Sequence, residues 1–326
     1  MSNFPDMVTQ FGGQPVGGGR YEAMWGSKVH FIDYDYGTEG AGGLKPSDAH
    51  KYLQDAIDIA SPWDVFYIRP RDPVYDVGGG ANYHLPESTS NWSIPYTAYG
   101  LSLIGTGIAR GNTAMATYLR GGAVTTAAPV LLIKSCWNNI ENLAFHVGAS
   151  LQSHIRSQRS ATATDRAYAN TYNSCIFRFG VDFIENNLQG GIHIESSSYE
   201  SIYNCIFQAC PTGIVVRTSV GAVTGIVISG CHFTGLATEV QCDICSPGGT
   251  FGNLSIKNCT FGHAVPAKTV YAAALKRYIY IGAASTGLVS NCDTGAVDPT
   301  VADNMTLNGV LYSNIWGDGV GPFVDA

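Results

Sequence analysis

Ile202-Tyr203-Asn204-Cys205-Ile206-Phe207 decides the fold, because the chain repeats this stretch. Related copies are Tyr172-Asn173-Ser174-Cys175-Ile176-Phe177, Ile228-Ser229-Gly230-Cys231-His232-Phe233, Ile256-Lys257-Asn258-Cys259-Thr260-Phe261 and Val289-Ser290-Asn291-Cys292-Asp293-Thr294. An earlier copy, Ile140-Glu141-Asn142-Leu143-Ala144-Phe145, has Leu in the Cys position. The equivalent positions 143, 175, 205, 231, 259 and 292 are separated by 32, 30, 26, 28 and 33 residues. A period of this size marks a repeat architecture.

Alternate residues of a strand face the same side, so Cys205 and Phe207 are expected to point inward while Ile206 points out. The preceding Asn or Gly tolerates a left-handed backbone and can bend the chain sharply. The bend turns the Ile two residues earlier inward from the neighbouring strand. Rungs of this kind, stacked about 4.8 Å apart, superpose like residues into a Cys column, a Phe column and an Asn column. No single rung buries its apolar side, but a stack does. The expected fold is all-β, a parallel β-helix or solenoid.

Uneven intervals of 26 to 33 residues suit a β-helix, whose connecting loops vary freely in length. Segments such as Gly213-Ile214-Val215-Val216 and Arg277-Tyr278-Ile279-Tyr280-Ile281 are β-branched or aromatic, which argues against helical repeats. Further strands are expected at Lys28 to Tyr34, Asp64 to Ile68, Leu101 to Ile104 and Val130 to Ile133. Between the first two, an amphipathic helix is expected from Pro46 or Ser47 to Ala60, with Ala49, Tyr52, Leu53, Ala56, Ile57 and Ala60 on one face. Such a helix would cap the open end of the stack. The chain divides into an N-terminal arm (1–27), a β-helix (28–295) with its capping helix (46–60), and a C-terminal arm (296–326).

The run Val29-His30-Phe31-Ile32-Asp33, a Gly-rich turn, Tyr52-Leu53-Gln54-Asp55-Ala56-Ile57-Asp58 and Trp63-Asp64-Val65-Phe66-Tyr67-Ile68 resembles the opening of pectate-lyase-like right-handed β-helix proteins. Many bacteriophage tailspike-like and virion proteins open in this way. The resemblance spans roughly residues 28 to 295. It implies a right-handed coil and a homotrimer, and it leaves activity open, since this fold hosts enzymes, binding modules and structural proteins alike.

Only 13% of the 326 residues are charged, against about 25% in ordinary domains. The net charge of −7 disfavours nucleic-acid binding, which needs clustered Lys and Arg. No apolar run reaches the roughly 20 residues of a spanning helix, and residues 1 to 19 lack a signal-like apolar core. Neither a nucleic-acid nor a membrane partner is expected. Nine cysteines, an odd number, are expected to be reduced thiols.

Carboxylates are scarce where polysaccharide-cleaving chemistry would need an acid and a base about 5 to 9.5 Å apart. Between Gly190 and Cys292 the acids are Glu195, Glu200, Glu239 and Asp243. If the chain is an enzyme, the candidate constellation is Asp182, Glu185, His193 and Glu195, with His193 and Glu195 sharing a strand's outer face. The bland alternative is a solvated surface. Asp33, Asp35 and Glu39 offer alternating oxygen ligands for a cation but lack the rest of a calcium loop. Cys242 and Cys245 have no second pair to complete a zinc site, and are expected on opposite faces of one strand. No cofactor is expected. Leu151 to Asn170, with His154, Arg156, Arg159 and Arg166, reads as a polar insertion that could grip an acidic partner, or simply a solvated loop.

Both ends combine Gly-rich backbone with large apolar side chains, Phe4, Phe11, Tyr21 and Trp25 at one end and Trp316 and Phe323 at the other. Aromatic anchors carry most interface energy, so these are the expected partner-binding residues. The alternative is that they pack on the chain's own β-helix. The leading functional expectation is a non-enzymatic virion component, assembled in the host cytoplasm. It would be a homotrimeric capsid decoration, cement or spike protein, bound to the major capsid protein or another virion protein. The second expectation is a tailspike-like receptor-binding protein that binds or depolymerises a bacterial surface glycan.

Overall fold

The computed structural model describes residues 27–71, 83–84, 91–107, 116–121, 128–147, 153–159, 165–178, 190–208, 210, 212–218, 223–234, 242–246, 250–262, 277–282, 284–294, 305–307 and 309–313, with the backbone of short strands at 10–11, 14–15, 315–317 and 320–323. The chain winds through three parallel sheets in turn. Sheet 1 contains Val29–Ile32, Val65–Ile68, Ser102–Gly105, Asn139–Glu141, Thr171–Asn173, Ser201–Tyr203, Val227–Ser229, Leu254–Lys257, Gly287–Ser290 and Leu311–Ser313. Sheet 2 contains Tyr83–His84, Tyr118–Arg120, Ala144–His146, Ile176–Arg178, Ile206–Gln208, His232–Thr234 and Thr260–Phe261. Sheet 3 contains Trp92–Ile94, Leu131–Ile133, Ile155–Gln158, Gly190–Glu195, Thr212–Arg217, Cys242–Ser246, Arg277–Ile281 and Met305–Thr306. The neighbouring strands in each sheet come from successive rungs, which makes the fold a parallel β-helix.

Register follows the repeat. Ile140, Tyr172, Ile202, Ile228, Ile256 and Val289 are directly paired across sheet 1, and all six are fully buried. The bend after them is left-handed on every rung, at Asn142, Ser174, Asn204, Gly230, Asn258 and Asn291. Asn and Gly carry little or no steric penalty there, and Ser174 is the exception among the six. Successive bends are tied together, as Asn204 N–H donates to Ser229 O at 2.9 Å and Gly230 N–H to Lys257 O at 3.0 Å.

The next inward position is the Cys column. Cys175, Cys205, Cys231, Cys259 and Cys292 are buried free thiols. Four of them donate weakly to a carbonyl of the rung before, Cys175 to Ile140 O at 3.4 Å and Cys205 to Tyr172 O at 3.7 Å, for example. A small apolar side chain with a weak donor suits this inner corner. Burial, with the neighbouring Cys175 and Cys231 thiols, drives the Cys205 thiol well above its ordinary range.

Two residues on, Phe145, Phe177, Phe207, Phe233 and Phe261 stack with centroids 5.4, 4.9, 4.8 and 5.1 Å apart. The ring spacing is the rung spacing. Gly191 and Gly213 stand across the interior, where a Cβ would meet the Phe207 ring at 2.5 Å and the Phe233 ring at 2.6 Å. Glycine there is what leaves the phenyl rings their space.

The capping segment differs from the expected continuous helix. It is a 3-10 turn at Pro46–Asp48 and an α-helix at Leu53–Asp58, separated by extended chain. The break has a cause: His50 N–H donates to Phe31 O at 2.8 Å and Asp33 N–H donates to His50 O at 2.9 Å. Ala49 and His50 therefore pair with the first strand of sheet 1. The helix buries Leu53, Ala56 and Ile57. Its Gln54 amide bonds both backbone groups of Ser93, at 2.9 and 3.2 Å. The side chain occupies the hydrogen-bonding edge of the first sheet 3 strand and blunts it.

The parallel stack continues past residue 295, where the C-terminal arm was expected to begin. Met305–Thr306 pairs with sheet 3 and Leu311–Ser313 with sheet 1. Ile315–Gly317 and Val320–Phe323 form an antiparallel pair, as do Gln10–Phe11 and Gln14–Pro15. No helix among the described residues is long and apolar enough to cross a membrane.

Candidate functional site

The outer face of sheet 3 holds the sequence-derived acid/base candidates. Pairing sets Arg156 beside His193, and Gln158, Glu195 and Arg217 in one row. The expectation of a solvated His193 is corrected: it faces outward, since its neighbours Ile192 and Ile194 line the core, yet it is only 3% exposed. Neither of its ring nitrogens meets a hydrogen-bond partner. Burial, with Arg156 and Arg217 nearby, lowers its pKa to about 3, so the ring is neutral at ordinary pH. Burial also lowers the Arg156 pKa, against the pull of Glu195. The structure thus gathers Arg156, His193, Glu195 and Arg217. Asp182 and Glu185 lie outside the described residues. A ring that stays neutral down to about pH 3 is a weak base as well as a poor acid, so His193 is not poised for proton transfer at ordinary pH.

The segment read as a polar insertion is partly a rung. Ile155–Gln158 is a sheet 3 strand, and His154 is buried with Nε2–H donating to Arg178 O at 2.8 Å. Arg159 and Arg166 form an antiparallel backbone bridge. Alternating side-chain direction within the strand, rather than loop mobility, decides where its charges go.

Asp33 and Asp35 face arginines. Asp33 accepts from Arg69 at 2.8 Å and Asp35 from Arg71 at 2.9 Å, and Asp33 also accepts the Asp35 and Tyr36 N–H groups at 3.1 Å. Glu39 is exposed. No group of three or more His, Cys, Asp or Glu side chains fit for a metal occurs among the described residues. Cys242 and Cys245, expected on opposite faces, join one outer cluster with Val215 and Tyr280. The Cys242 thiol turns along the strand to donate to Ile244 O at 3.2 Å.

Of the proposed anchors, Phe4, Tyr21 and Trp25 lie outside the described residues. Phe11, Trp316 and Phe323 fall in the terminal antiparallel strands.

Two features escaped the sequence reading. One is a polar island inside the prism. Asn138, Asn170 and Glu200 directly precede strands in register on sheet 1. The Asn170 side-chain oxygen accepts from the backbone and side chain of Asn138, each at 2.9 Å. Glu200 accepts from Ser157 at 2.9 Å, Asn170 at 3.1 Å and Ser197. Its other oxygen has no partner. Burial outweighs these bonds and raises the carboxyl pKa to about 7. It is sealed from solvent, so its effect falls on stability. An acid whose folded pKa lies above its unfolded value stabilises fully below pH 4.5 and loses that contribution as pH rises to about 7. We expect Glu200→Gln to gain about 3 kcal/mol relative to the parent between pH 4.5 and pH 8 in urea unfolding. A difference independent of pH would refute this.

The other feature is an aromatic edge at the turn into sheet 1. Trp63, Tyr99, Trp137 and Tyr168 form successive ring contacts, and Tyr199 follows further along the same turn. All five sit one or two residues before the residue that precedes a sheet 1 strand.

No protein-family model matches the sequence, and no curated protein matches it. Solved structures do. ORF18 of Geobacillus virus E2 is similar with a TM-score of 0.53 and 14% identity over 91% of this chain and 59% of that one. A rhamnogalacturonan lyase gives 0.49 and 10% over 92% and 90%, and the pectin methylesterase of Aspergillus niger 0.45 and 12% over 92% and 88%. The chain spans about 59% of the viral protein's length. The likeness establishes the fold, a right-handed parallel β-helix.

Proposed function

We propose that the chain is a non-enzymatic structural component of a bacteriophage virion. In this reading it is a homotrimeric decoration, cement or spike protein, held to the major capsid protein or another virion protein by its terminal segments. The observation that carries it is the unbroken stacking of like on like. Five phenyl rings at rung spacing run beside five stacked thiols, and interiors packed this way resist deformation. A stiff rod is what a mechanical element requires. The likeness to a protein of Geobacillus virus E2 supports the same reading.

Phe4, Phe11, Tyr21, Trp25, Trp316 and Phe323 are the proposed anchors. Immunogold or cryo-EM imaging of particles is expected to place the protein on the virion, and deletion of residues 1–27 to release it from purified particles. Retention of the deleted protein would remove the anchoring role. Release of reducing ends or unsaturated sugars by pure protein, abolished by Glu195→Gln, would replace the structural reading by an enzymatic one.

A further inference from the structure

Three successive strands of sheet 3, Ile155–Gln158, Gly190–Glu195 and Thr212–Arg217, build a depression on its outer face. Strand alternation decides which side chains reach it. Ile155, Ile192, Ile194, Ile214 and Val216 line the core, so Arg156, Gln158, His193, Glu195, Val215 and Arg217 point outward. Register puts Arg156, His193 and Val215 in one row and Gln158, Glu195 and Arg217 in the next. His193 and Val215 are buried and make the floor. The other four are half-buried and make the rim.

The depression is chemically unfinished. Both ring nitrogens of His193 and Nε of Arg156 are shut from water without a hydrogen-bond partner. A buried donor without an acceptor is costly, most of all on a charged group, and such groups mark a bound water, ion or ligand. Burial works against the Arg156 charge, and Glu195 pulls the other way yet leaves Nε–H unmet. A water molecule would leave that charge uncompensated. Two guanidinium charges, of Arg156 and Arg217, face the one carboxylate of Glu195, and the neutral His193 ring adds none. A single positive charge is left over.

We propose that this depression binds one carboxylate group, carried by an acidic side chain of a partner protein or by a small free acid. A carboxylate brings the single negative charge that the site lacks. Its two oxygens match the planar fork of Arg156, Nε–H included, and the neutral imidazole donates an N–H from the floor. A sulfate dianion would bring a second charge, with Glu195 in the rim to repel it and burial to penalise the excess. The floor is two side chains on neighbouring rungs, about 4.8 Å apart, which is room for one planar group. The site is tested on purified protein, and so stands apart from the virion assignment.

The test is calorimetric titration of the full chain at constant ionic strength, with the His193 ring resonances followed by NMR. The probes are acetate, a blocked tripeptide with a central glutamate, its glutamine counterpart, and sulfate. Acetate and the glutamate peptide are expected to bind saturably and to shift the His193 signals. The glutamine peptide and sulfate are expected to bind at least about tenfold more weakly. A glutamate peptide that outbinds acetate assigns the carboxylate to a protein side chain, and equal binding assigns it to a small free acid. Arg156→Gln is expected to weaken the glutamate peptide about tenfold, and Glu195→Gln to tighten it about threefold. Opposite signs at these two positions separate a binding role from a merely structural one. If Arg156→Gln fails to fold, Arg217→Gln carries the same expected loss. Arg159→Gln, which removes an exposed charge just past the strand, is expected to leave binding unchanged. No saturable binding of either carboxylate, equally tight sulfate, or an equal loss in Arg159→Gln would overturn the proposal. So would binding that appears only with Asp182→Asn or Glu185→Gln, because an acid of the chain itself would then fill the depression.

Discussion

Acidification from pH 7 to pH 4 is expected to strip the β-helix of about 3 kcal/mol for each of two buried histidines, His84 and His154. Each ring donates Nε2–H to a backbone carbonyl, His84 to Arg69 O at 2.6 Å and His154 to Arg178 O at 2.8 Å. Burial lowers both pKa values from 6.5 to about 4. A base whose folded pKa is depressed stabilises fully above its unfolded value, here pH 6.5, and loses that contribution as pH falls to about 4. His193 acts in the same direction, and Glu200 opposes it over an overlapping window. Two histidines outweigh one carboxyl, so the net slope from pH 6.5 down to 4.5 is a loss. Urea unfolding at pH 7, 5.5 and 4.5 measures it, and His154→Asn should flatten part of the slope. Stability that stays level across this range would show that these rings are hydrated in solution.

Phe207→Ala is expected to cost about 3 to 5 kcal/mol. The ring is 1% exposed and lies between Phe177 at 4.9 Å and Phe233 at 4.8 Å, nearly parallel to both. Truncation removes transfer energy, two stacking contacts and the filling of a space that Gly191 cannot reclaim, having no side chain. The neighbouring Gln208 is exposed on the outer face, and Gln208→Ala should fall within about 0.5 kcal/mol of the parent. Phe207→Ala combined with Phe233→Ala should depart from additivity, because the rings touch. A small, additive loss would mean that the column does not act as one packed unit.

The prism was legible because strand alternation and the rung repeat are both written along the chain. Ile202, Asn204, Cys205 and Phe207 announce one corner, and their copies announce its stacking. The opposite corner was harder to read. Trp63, Trp137 and Tyr199 have no recurrent neighbours to flag them, and their spacing spans two unequal rungs. Only when Val65, Asn139 and Ser201 are placed in one sheet do these aromatics fall on a common edge. Glu200 was visible as an acid, but its burial becomes evident only from register with Asn138 and Asn170.

Sequence by itself determined the architecture, the inward columns and the left-handed Asn bends, because these follow from residue type and period within one rung. Tertiary structure decided what lies across rungs and around them. It broke the capping helix, since the Ala49–His50 backbone pairs with Phe31 and Asp33. It buried His193, paired Asp33 and Asp35 with Arg69 and Arg71, and aligned the aromatic edge. Each of these depends on which residues of different rungs come into contact, and loops of unequal length hide that from a linear reading.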